Sequence, residues 1–385
     1  MRYLITVLKM PGEIIMNFKP LEEFLDGLYE KQGIPACDCM VFKGHQQVFR
    51  HMTGYSDANR TIPLSENYRY ILYSATKVIT CTCAMQLIER GQMKLTDEIC
   101  KYLPEYTDMY LLDGSKAQNK ITVEHLLSMR GGFNYITRPD SVLKLLETKP
   151  NATTAEVIRE YAKTPLQFEP GTHFRYSMCH DVLGRVIEVV SGMTLYEYMS
   201  KNIFEPLSMT DISFSIGNPE TIVEQYKFNA NTWQMEPMEK DCQFQICPGY
   251  ESGGAGLIGT ANDYGKFVEA MCNYGEASNG YRVLKKETID IMRTNILDKQ
   301  CLEDFLHYSK PGYGYGMGVR TLTTKKFGSG SPVGEFGWDG AAGAYVLLDV
   351  ENNIGIFYAQ HVRGLDCANI IHKRLRDITY EILNG

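Results

Sequence analysis

Hydrophobic and polar positions change their periodicity along the chain, and the changes predict where helices and strands lie. Residues 21–32 follow a helical pattern. Two short β-rich runs follow at residues 39–42 and 47–50, with turn-forming residues between them, which predicts an antiparallel hairpin. A third β-rich run at residues 68–72 leads into a segment, residues 74–90, in which apolar positions recur at spacings of three and four. This spacing predicts a helix that begins at Ser74.

The rest of the chain divides into a helical middle and a strand-rich last third. Helical patterns dominate from about residue 80 to residue 210. Residues 312–319, 344–350 and 354–359 are typical of strands, and residues 366–383 form a final helical pattern. Strands at both ends with helices between them predict an α/β (α+β) fold, with an antiparallel sheet flanked by helices and built from both chain ends.

This organisation predicts two domains. Residues 17–80 and 211–385 form a discontinuous α/β domain, residues 81–210 form a mostly helical inserted domain, and residues 1–16 are an N-terminal extension. The extension begins like a signal peptide, but Lys9, Pro11 and Glu13 interrupt its apolar run. We therefore expect a cytoplasmic protein, with export through residues 1–15 as the alternative. The sequence holds no apolar stretch of about 18 residues, so no membrane span is predicted.

Composition narrows the classes of partner and cofactor. Hydrophobic residues make up 44% of the 385 positions and charged residues 22%, which is ordinary for a globular protein. The net charge is −7 and no basic run occurs, so no nucleic-acid partner is expected. The eleven cysteines and eight histidines lack metal-ligand spacing, and no metal or other cofactor is predicted. A G-x-G-x-x-G match at residues 254–259 lacks a preceding hydrophobic strand, so we interpret it as a loop before a helix.

The strongest chemical signal is Ser74-Ala75-Thr76-Lys77 at the start of a predicted helix. Residues three apart on a helix share a face, so the amine of Lys77 can reach the hydroxyl of Ser74. A serine needs a base to act as a nucleophile, and a helix N-terminus favours an oxyanion. The simpler interpretation is that Ser74 is an ordinary helix cap.

Two further segments carry candidate chemistry. A lysine ammonium beside Tyr176 would favour its phenolate, which could act as a general base toward Ser74. The glycine-rich segment that contains Trp338, Gly340 and Ala341 precedes a predicted strand, where backbone N–H groups can approach a ligand closely. Alone, each has a structural alternative: Tyr176 as a core tyrosine, and the glycine-rich segment as a tight turn.

Taken together and in this order, the three segments resemble the serine β-lactamase and penicillin-binding-protein family, which combines S-x-x-K, a tyrosine motif and a K-T-G-like strand motif. The chain departs from the usual pattern at two positions: Met178 stands in place of an asparagine, and Trp338-Asp339-Gly340 stands in place of Lys-Thr-Gly. With these departures the chain is most similar to the β-lactamase-like (family VIII) carboxylesterases, which have a class C-type fold. The resemblance implies that the N–H groups of Ser74 and Ala341 hold the oxyanion, and that Trp338 and Gly340 contribute to substrate binding.

The resemblance implies a serine hydrolase that works through an acyl-enzyme and acts as a carboxylesterase on small to medium esters. Its partner is then a small-molecule ester or amide, and the oligomeric state is left open. Either Lys77 or Tyr176 is the base. The alternatives are a D-Ala-D-Ala carboxypeptidase or β-lactamase, and a non-catalytic relative that binds a ligand. His361 and Arg363 follow a predicted strand, and we expect them in a solvated loop rather than in the pocket.

Overall fold

The computed structural model describes residues 16–308 and 311–384, so the predicted N-terminal extension lies outside the described residues except for Met16. The described strands are β1 Ala36–Lys43, β2 Gln46–Gly54, β3 Arg69–Ile71, β4 Ile212–Ser213, β5 Gln225–Asn229, β6 Gln234–Met238, β7 Ile258–Thr260, β8 Tyr313–Tyr315, β9 Arg320–Leu322, β10 Phe336–Gly337, β11 Tyr345–Asp349, β12 Ile354–Gln360 and β13 Val362–Arg363. The α-helices are α1 Lys19–Asp26, α2 Leu28–Gln32, α3 Thr76–Glu89, α4 Val123–Leu127, α5 Asp140–Thr148, α6 Thr154–Tyr161, α7 Cys179–Ser191, α8 Leu195–Met199, α9 Ala261–Cys272, α10 Lys286–Arg293, α11 Lys299–Phe305 and α12 Lys373–Asn384.

The main sheet joins the two ends of the chain. Its strand order is β2-β1-β12-β11-β10-β9-β8, and every adjacent pair in it is antiparallel. The central pairing of β1 with β12 places Cys37 opposite Gln360 and Lys43 opposite Ile354. The predicted antiparallel sheet built from both ends is therefore confirmed. Two smaller three-stranded sheets have the orders β3-β7-β4 and β13-β5-β6.

Residue alternation in the central strands explains why helices cover both faces of the main sheet. Along β1, Cys37, Cys39 and Val41 join the apolar core against α1 and α12, whereas Met40 and Phe42 join the core against α9. Successive side chains of a strand point to opposite faces, so the apolar side chains on both faces of β1 are covered by helices on both sides of the sheet.

The segment between residues 81 and 210 is helical in its regular structure, from the rest of α3 to α8, with short 3₁₀ turns and a π-helical turn at Ser200–Phe204. Helix α3 packs against α7 and α8. Twelve of its fourteen residues are buried, as is typical of a helix in the interior of a large protein. No helix in the described part of the chain is long and apolar enough to cross a membrane. The division into two domains remains a prediction.

Three predicted elements differ in detail. The helix at residues 21–32 is two helices that meet at Gly27, and the final helix begins with a π-helical turn at Ala368–His372 before α12. Residues 312–319 do not form one strand: β8 ends at Tyr315, and a turn follows in which Gly318 has φ +87°. A Cβ atom on Gly318 would lie 2.2 Å from the Cys81 Sγ. The bare glycine therefore lets this turn press against α3, and a continuous strand cannot do so.

Candidate active site

Ser74 lies where a short strand turns into the buried helix. β3 pairs with β7 and ends at Ile71, a 3₁₀ turn spans Tyr73–Ala75, and α3 follows at once. The helix predicted to begin at Ser74 therefore begins with this turn. Ser74 is only 7% exposed and lines a cavity of about 510 Å³. A serine at this junction faces solvent through the cavity alone.

The residue before Ser74 has a strained backbone. Tyr73 has φ +46°, a conformation that costs a bulky residue about 1–3 kcal/mol and persists only where packing enforces it. Its side chain is fully buried, its hydroxyl donates a hydrogen bond to Gln225, and its ring meets that of Phe244 edge-on at 6.2 Å. These contacts hold the turn that presents Ser74.

Lys77 lies beneath Ser74 and is fully buried. Its Nζ is 3.3 Å from the Ser74 Oγ and 3.5 Å from the Tyr135 hydroxyl, and it donates to the carbonyl oxygen of Gly254 at 2.5 Å. It also lies 4.6 Å from the centre of the Tyr176 ring. Burial lowers the pKa of Lys77, but two tyrosine oxygens and then the Asp181 carboxylate raise it by more, so the net pKa is above its usual value. Lys77 is therefore an ammonium at neutral pH.

Tyr176 is held by Trp338. The indole Nε1–H of Trp338 donates to the Tyr176 hydroxyl at 3.1 Å, and the two rings stack with centroids 5.5 Å apart. Tyr315 packs edge-on against the Trp338 ring, with centroids 5.1 Å apart. Trp338 thus supplies both a hydrogen-bond donor to the Tyr176 oxygen and a ring that stacks on Tyr176.

In the glycine-rich segment, the N–H group of Gly340 is already hydrogen-bonded, whereas that of Ala341 is the candidate oxyanion donor. The N–H of Gly340 donates to the carbonyl oxygen of Ala344 at 2.8 Å, so it cannot serve an oxyanion. Ala341 lines the same cavity as Ser74. In the described part of the chain, its N–H donates to no carbonyl oxygen of a turn or loop. A Cβ atom on Gly340 would lie 2.5 Å from the carbonyl oxygen of Leu72, so this segment closely approaches the Tyr73–Ala75 turn that carries Ser74.

The structure brings all the sequence-predicted site residues together. Ser74, Tyr176, Trp338, Gly340 and Ala341 line one cavity, and the lysine of the S-x-x-K motif lies directly below it.

Sequence reasoning missed Tyr135, which contacts the buried ammonium. Burial raises the pKa of Tyr135 above its usual value, so this residue remains a neutral phenol. Nothing in the sequence distinguishes it from the other tyrosines, of which the chain has 25 in all.

The glycines of residues 254–259 serve close packing. A Cβ atom on Gly254 would lie 2.3 Å from the Asp181 Oδ2, and one on Gly256 would lie 2.8 Å from the Phe214 ring. The segment continues into β7 and then α9, where Thr260 caps the helix by accepting from the N–H of Asp263 at 3.1 Å. The loop before a helix that the sequence suggested is therefore present, with a short strand inside it.

The expected solvated loop at His361 is wrong. His361 is 2% exposed: its Nδ1 bonds the carbonyl oxygen of Val223 at 2.8 Å, and its Nε2 accepts from the N–H of Ile71 at 3.3 Å. Burial lowers the pKa of His361 to about 4, so the ring is neutral. Arg363 lies in β13 and covers the ring of Tyr73 at 5.3 Å. His361 therefore contacts the end of β3, and Arg363 contacts the Tyr73–Ala75 turn that carries Ser74.

Comparison with known proteins assigns the family. The family model described as Beta-lactamase matches residues 21–376, nearly the whole chain. The chain belongs to the beta-lactamase family. The resemblance inferred from the three motifs is thereby confirmed, and the members of this family are hydrolases and acyltransferases of the serine type.

Relatives of this beta-lactamase-family chain have different activities in their names. Esterase EstB from Burkholderia gladioli is 24% identical over 388 residues, covering 94% of each chain. Acyltransferase mokF from Monascus pilosus is 27% identical over 293 residues, covering 72% of this chain and 70% of the relative. The solved structure of EstCE1, described as a hydrolase with promiscuous acyltransferase activity, superposes with a TM-score of 0.80 at 23% identity, covering 94% of this chain and 98% of the other. That likeness establishes the fold.

Proposed function

We propose that this protein is a carboxylesterase that acts on small to medium esters through an acyl-enzyme on Ser74. The observation that carries the proposal is the cluster of a buried Lys77 ammonium 3.3 Å from the Ser74 Oγ and a Tyr176 whose hydroxyl accepts the indole N–H of Trp338. The ammonium and the indole N–H both favour negative charge on the Tyr176 oxygen.

In the first step, the Ser74 Oγ attacks the ester carbonyl carbon and its proton passes to the Tyr176 oxygen. Lys77 remains protonated and stabilises the charge that moves between these two oxygens. The carbonyl oxygen becomes an oxyanion held by the N–H groups of Ser74 and Ala341. The intermediate then collapses, the bond to the alcohol oxygen breaks, and Tyr176 returns the proton to that oxygen.

In the second step, water gives its proton to Tyr176 and attacks the acyl carbon. The bond between that carbon and the Ser74 Oγ then breaks, and Tyr176 returns the proton to the Oγ, which releases the acid and restores Ser74. An acceptor alcohol can take the place of water, and acyl transfer is therefore the second candidate activity. The acyltransferase mokF among the relatives favours this alternative.

The lining of the cavity supports a neutral ester as the substrate. Trp338 occupies the place where β-lactam-directed members of the family carry a lysine. The buried guanidinium groups of Arg320 and Arg376, which also line the cavity, each pair with a carboxylate, at 2.7 Å and 2.8 Å. Met178, in place of the family's asparagine, is 2% exposed and does not offer an amide to a substrate.

The test is a steady-state comparison of p-nitrophenyl esters of increasing acyl length with a chromogenic cephalosporin and a D-Ala-D-Ala peptide. We expect kcat/KM for the short to medium esters to exceed the other two by on the order of 100-fold. A preference for the cephalosporin or the peptide would overturn the proposal. Adding an alcohol acceptor and quantifying acid against ester products separates hydrolysis from transfer. Failure of a fluorophosphonate probe to label Ser74 would instead favour a non-catalytic relative.

A further inference from the structure

Two opposite charges are buried near each other without touching. Lys77 is fully buried and Asp181, on α7, is 1% exposed. Among residues 16–308 and 311–384, neither has an oppositely charged group within 4 Å of its charged atoms. An isolated buried charge is costly unless neighbouring dipoles or an opposite charge compensate it.

Gly254 connects the two charges. Its carbonyl oxygen accepts from the Lys77 ammonium at 2.5 Å, and its N–H points to the Asp181 Oδ1 at 3.4 Å. The carbonyl group of Gly254 therefore directs its negative end at the Lys77 ammonium, and the N–H group of Gly254 directs its positive end at the Asp181 carboxylate. Only glycine fits, because a Cβ atom there would lie 2.3 Å from the Asp181 Oδ2.

The carboxylate also anchors the loop that carries this glycine. The Asp181 Oδ1 accepts from the Tyr250 hydroxyl at 2.8 Å and from the Ser252 hydroxyl at 2.6 Å. Independently of this charge, the loop is tied to α3, because the Thr80 hydroxyl donates to the carbonyl oxygen of Gly253 at 2.7 Å. A substitution at Thr80 can therefore loosen the loop that carries Gly254 while the negative charge of Asp181 stays in place.

We infer that Asp181 is a positioning residue for the reaction: it is the buried counter-charge that keeps Lys77 protonated, and it fixes the Gly254 carbonyl that orients the ammonium beneath Ser74. The inference rests on the proposed function of Ser74, Lys77 and Tyr176. Asp181 does not touch the substrate, and it acts through Lys77 alone.

Apart from Tyr176, which takes up and releases the proton, the other titratable groups near Lys77 carry no negative charge in the resting site. Burial raises the pKa of the Cys81 thiol well above its usual range and that of Cys179 to about 11. Burial, and then Lys77 itself, lowers the pKa of His180 to about 3. Tyr135 is a neutral phenol, and Tyr176 is the group that exchanges the proton. Asp181 is therefore the permanent anion of this cluster within the described chain.

Asp181→Asn is a sharp test, because all three hydrogen bonds that Asp181 accepts end on one oxygen, Oδ1, which an asparagine retains. The variant removes the charge and keeps the loop anchored. Without the anion, Lys77 loses its proton more readily, so we expect the alkaline limb of kcat/KM for p-nitrophenyl butyrate to move to lower pH by about one unit. Near pH 8 Lys77 keeps its proton in both proteins, so kcat is expected to fall less there than on the alkaline limb.

Thr80→Val is the matched control, since it loosens the same loop without changing charge. We expect it to lower kcat without moving the alkaline limb. An alkaline limb that stays in place in Asp181→Asn, or that moves equally in both variants, overturns the inference.

A second variant keeps the inference testable if Asp181→Asn does not fold. Tyr250→Phe removes one hydrogen-bond donor from the Asp181 carboxylate and leaves the charge in place, so we expect kcat to fall while the alkaline limb stays where it is. An unchanged kcat in Tyr250→Phe, or an alkaline limb that moves, counts against the inference. Labelling of Ser74 by a fluorophosphonate in the wild type is measured first: if it fails, the proposed function is wrong, whereas labelling together with an unmoved alkaline limb in Asp181→Asn contradicts only the role of Asp181.

Discussion

Trp338 donates its indole N–H to the hydroxyl of Tyr176 at 3.1 Å and stacks on the same ring. Trp338 stands where a lysine is common in the family, so a neutral donor replaces a cation beside the tyrosine. This exchange keeps stabilisation of the Tyr176 oxygen and removes a charge that would attract an anionic substrate. Under the proposed function, Trp338 therefore both favours esters and supports the proposed base, Tyr176.

Trp338→Phe keeps the stacked ring and removes the N–H donor. A hydrogen bond to a charged oxygen contributes about 1.5–3 kcal/mol, so we expect kcat for an ester to fall roughly 10- to 100-fold. Trp233, the other tryptophan, is 77% exposed, and Trp233→Phe is the control that leaves kcat unchanged. An equal effect of both substitutions would contradict the role of the indole N–H.

Two tyrosines surround Lys77, and their removal is expected to have unequal effects. Tyr176→Phe removes the proposed base and should lower kcat by about 10²–10⁴-fold. Tyr135→Phe removes a neutral hydrogen-bond partner of the ammonium and should lower kcat roughly 10-fold. Steady-state kinetics on one ester, with unfolding curves to verify folding, decide the matter. The reverse order of effects would assign the base to Tyr135.

Gly340→Ala is expected to disturb the contact between the glycine-rich segment that contains Ala341 and the Tyr73–Ala75 turn that carries Ser74. The added Cβ atom would meet the Leu72 carbonyl oxygen at 2.5 Å, so one of the two backbones must move. We expect the free energy of unfolding to fall by about 1–3 kcal/mol and kcat to fall on the order of 10²-fold. Urea unfolding and ester kinetics measure the two effects. A stable variant with wild-type kcat would show that this approach is not needed.

Buried neutral histidines make the fold sensitive to acid. The pKa of His180 is lowered to about 3 and that of His361 to about 4, against 6.5 for an ordinary histidine. Below pH 6.5 the unfolded chain takes up protons that the folded chain does not, so stability present above pH 6.5 is lost as the pH falls toward 4.

At pH 5, each of these two histidines lowers the free energy of unfolding by about 2 kcal/mol relative to pH 7.5. Urea unfolding at the two pH values measures the loss, and we expect His361→Gln to reduce it. His307→Gln alters an exposed histidine and serves as the control. If His361→Gln loses as much stability as the wild type does between these pH values, His361 does not contribute.

The sequence was sufficient for the fold class and for the residues whose chemistry depends on short spacing. Ser74 and Lys77 are three residues apart, and the β-rich runs near both ends of the chain were enough to predict the sheet. The joint order of three motifs placed Tyr176 and Trp338 in one site, although about 100 and 260 residues separate them from Ser74.

The remainder depends on contacts that no local pattern encodes. Tyr135 meets Lys77 across 58 residues of the sequence, a separation that no local pattern spans. The sequence placed His361 in a loop because it follows a predicted strand. Its burial comes from contacts with β5 and β3, which are distant in the sequence. The glycines at residues 312–318 alternate as in a strand, but the closeness of Cys81 makes Gly318 a turn residue.

The most direct test of the central claim is to trap the acyl-enzyme. Wild-type protein is mixed with p-nitrophenyl butyrate, quenched in acid within the first turnovers and examined by intact and peptide mass spectrometry. The account predicts one added butyryl group on Ser74, and neither acylation nor turnover in Ser74→Ala, which should unfold like the wild type. Acylation at another residue, or a Ser74→Ala variant that keeps more than about a few per cent of wild-type kcat, would contradict it.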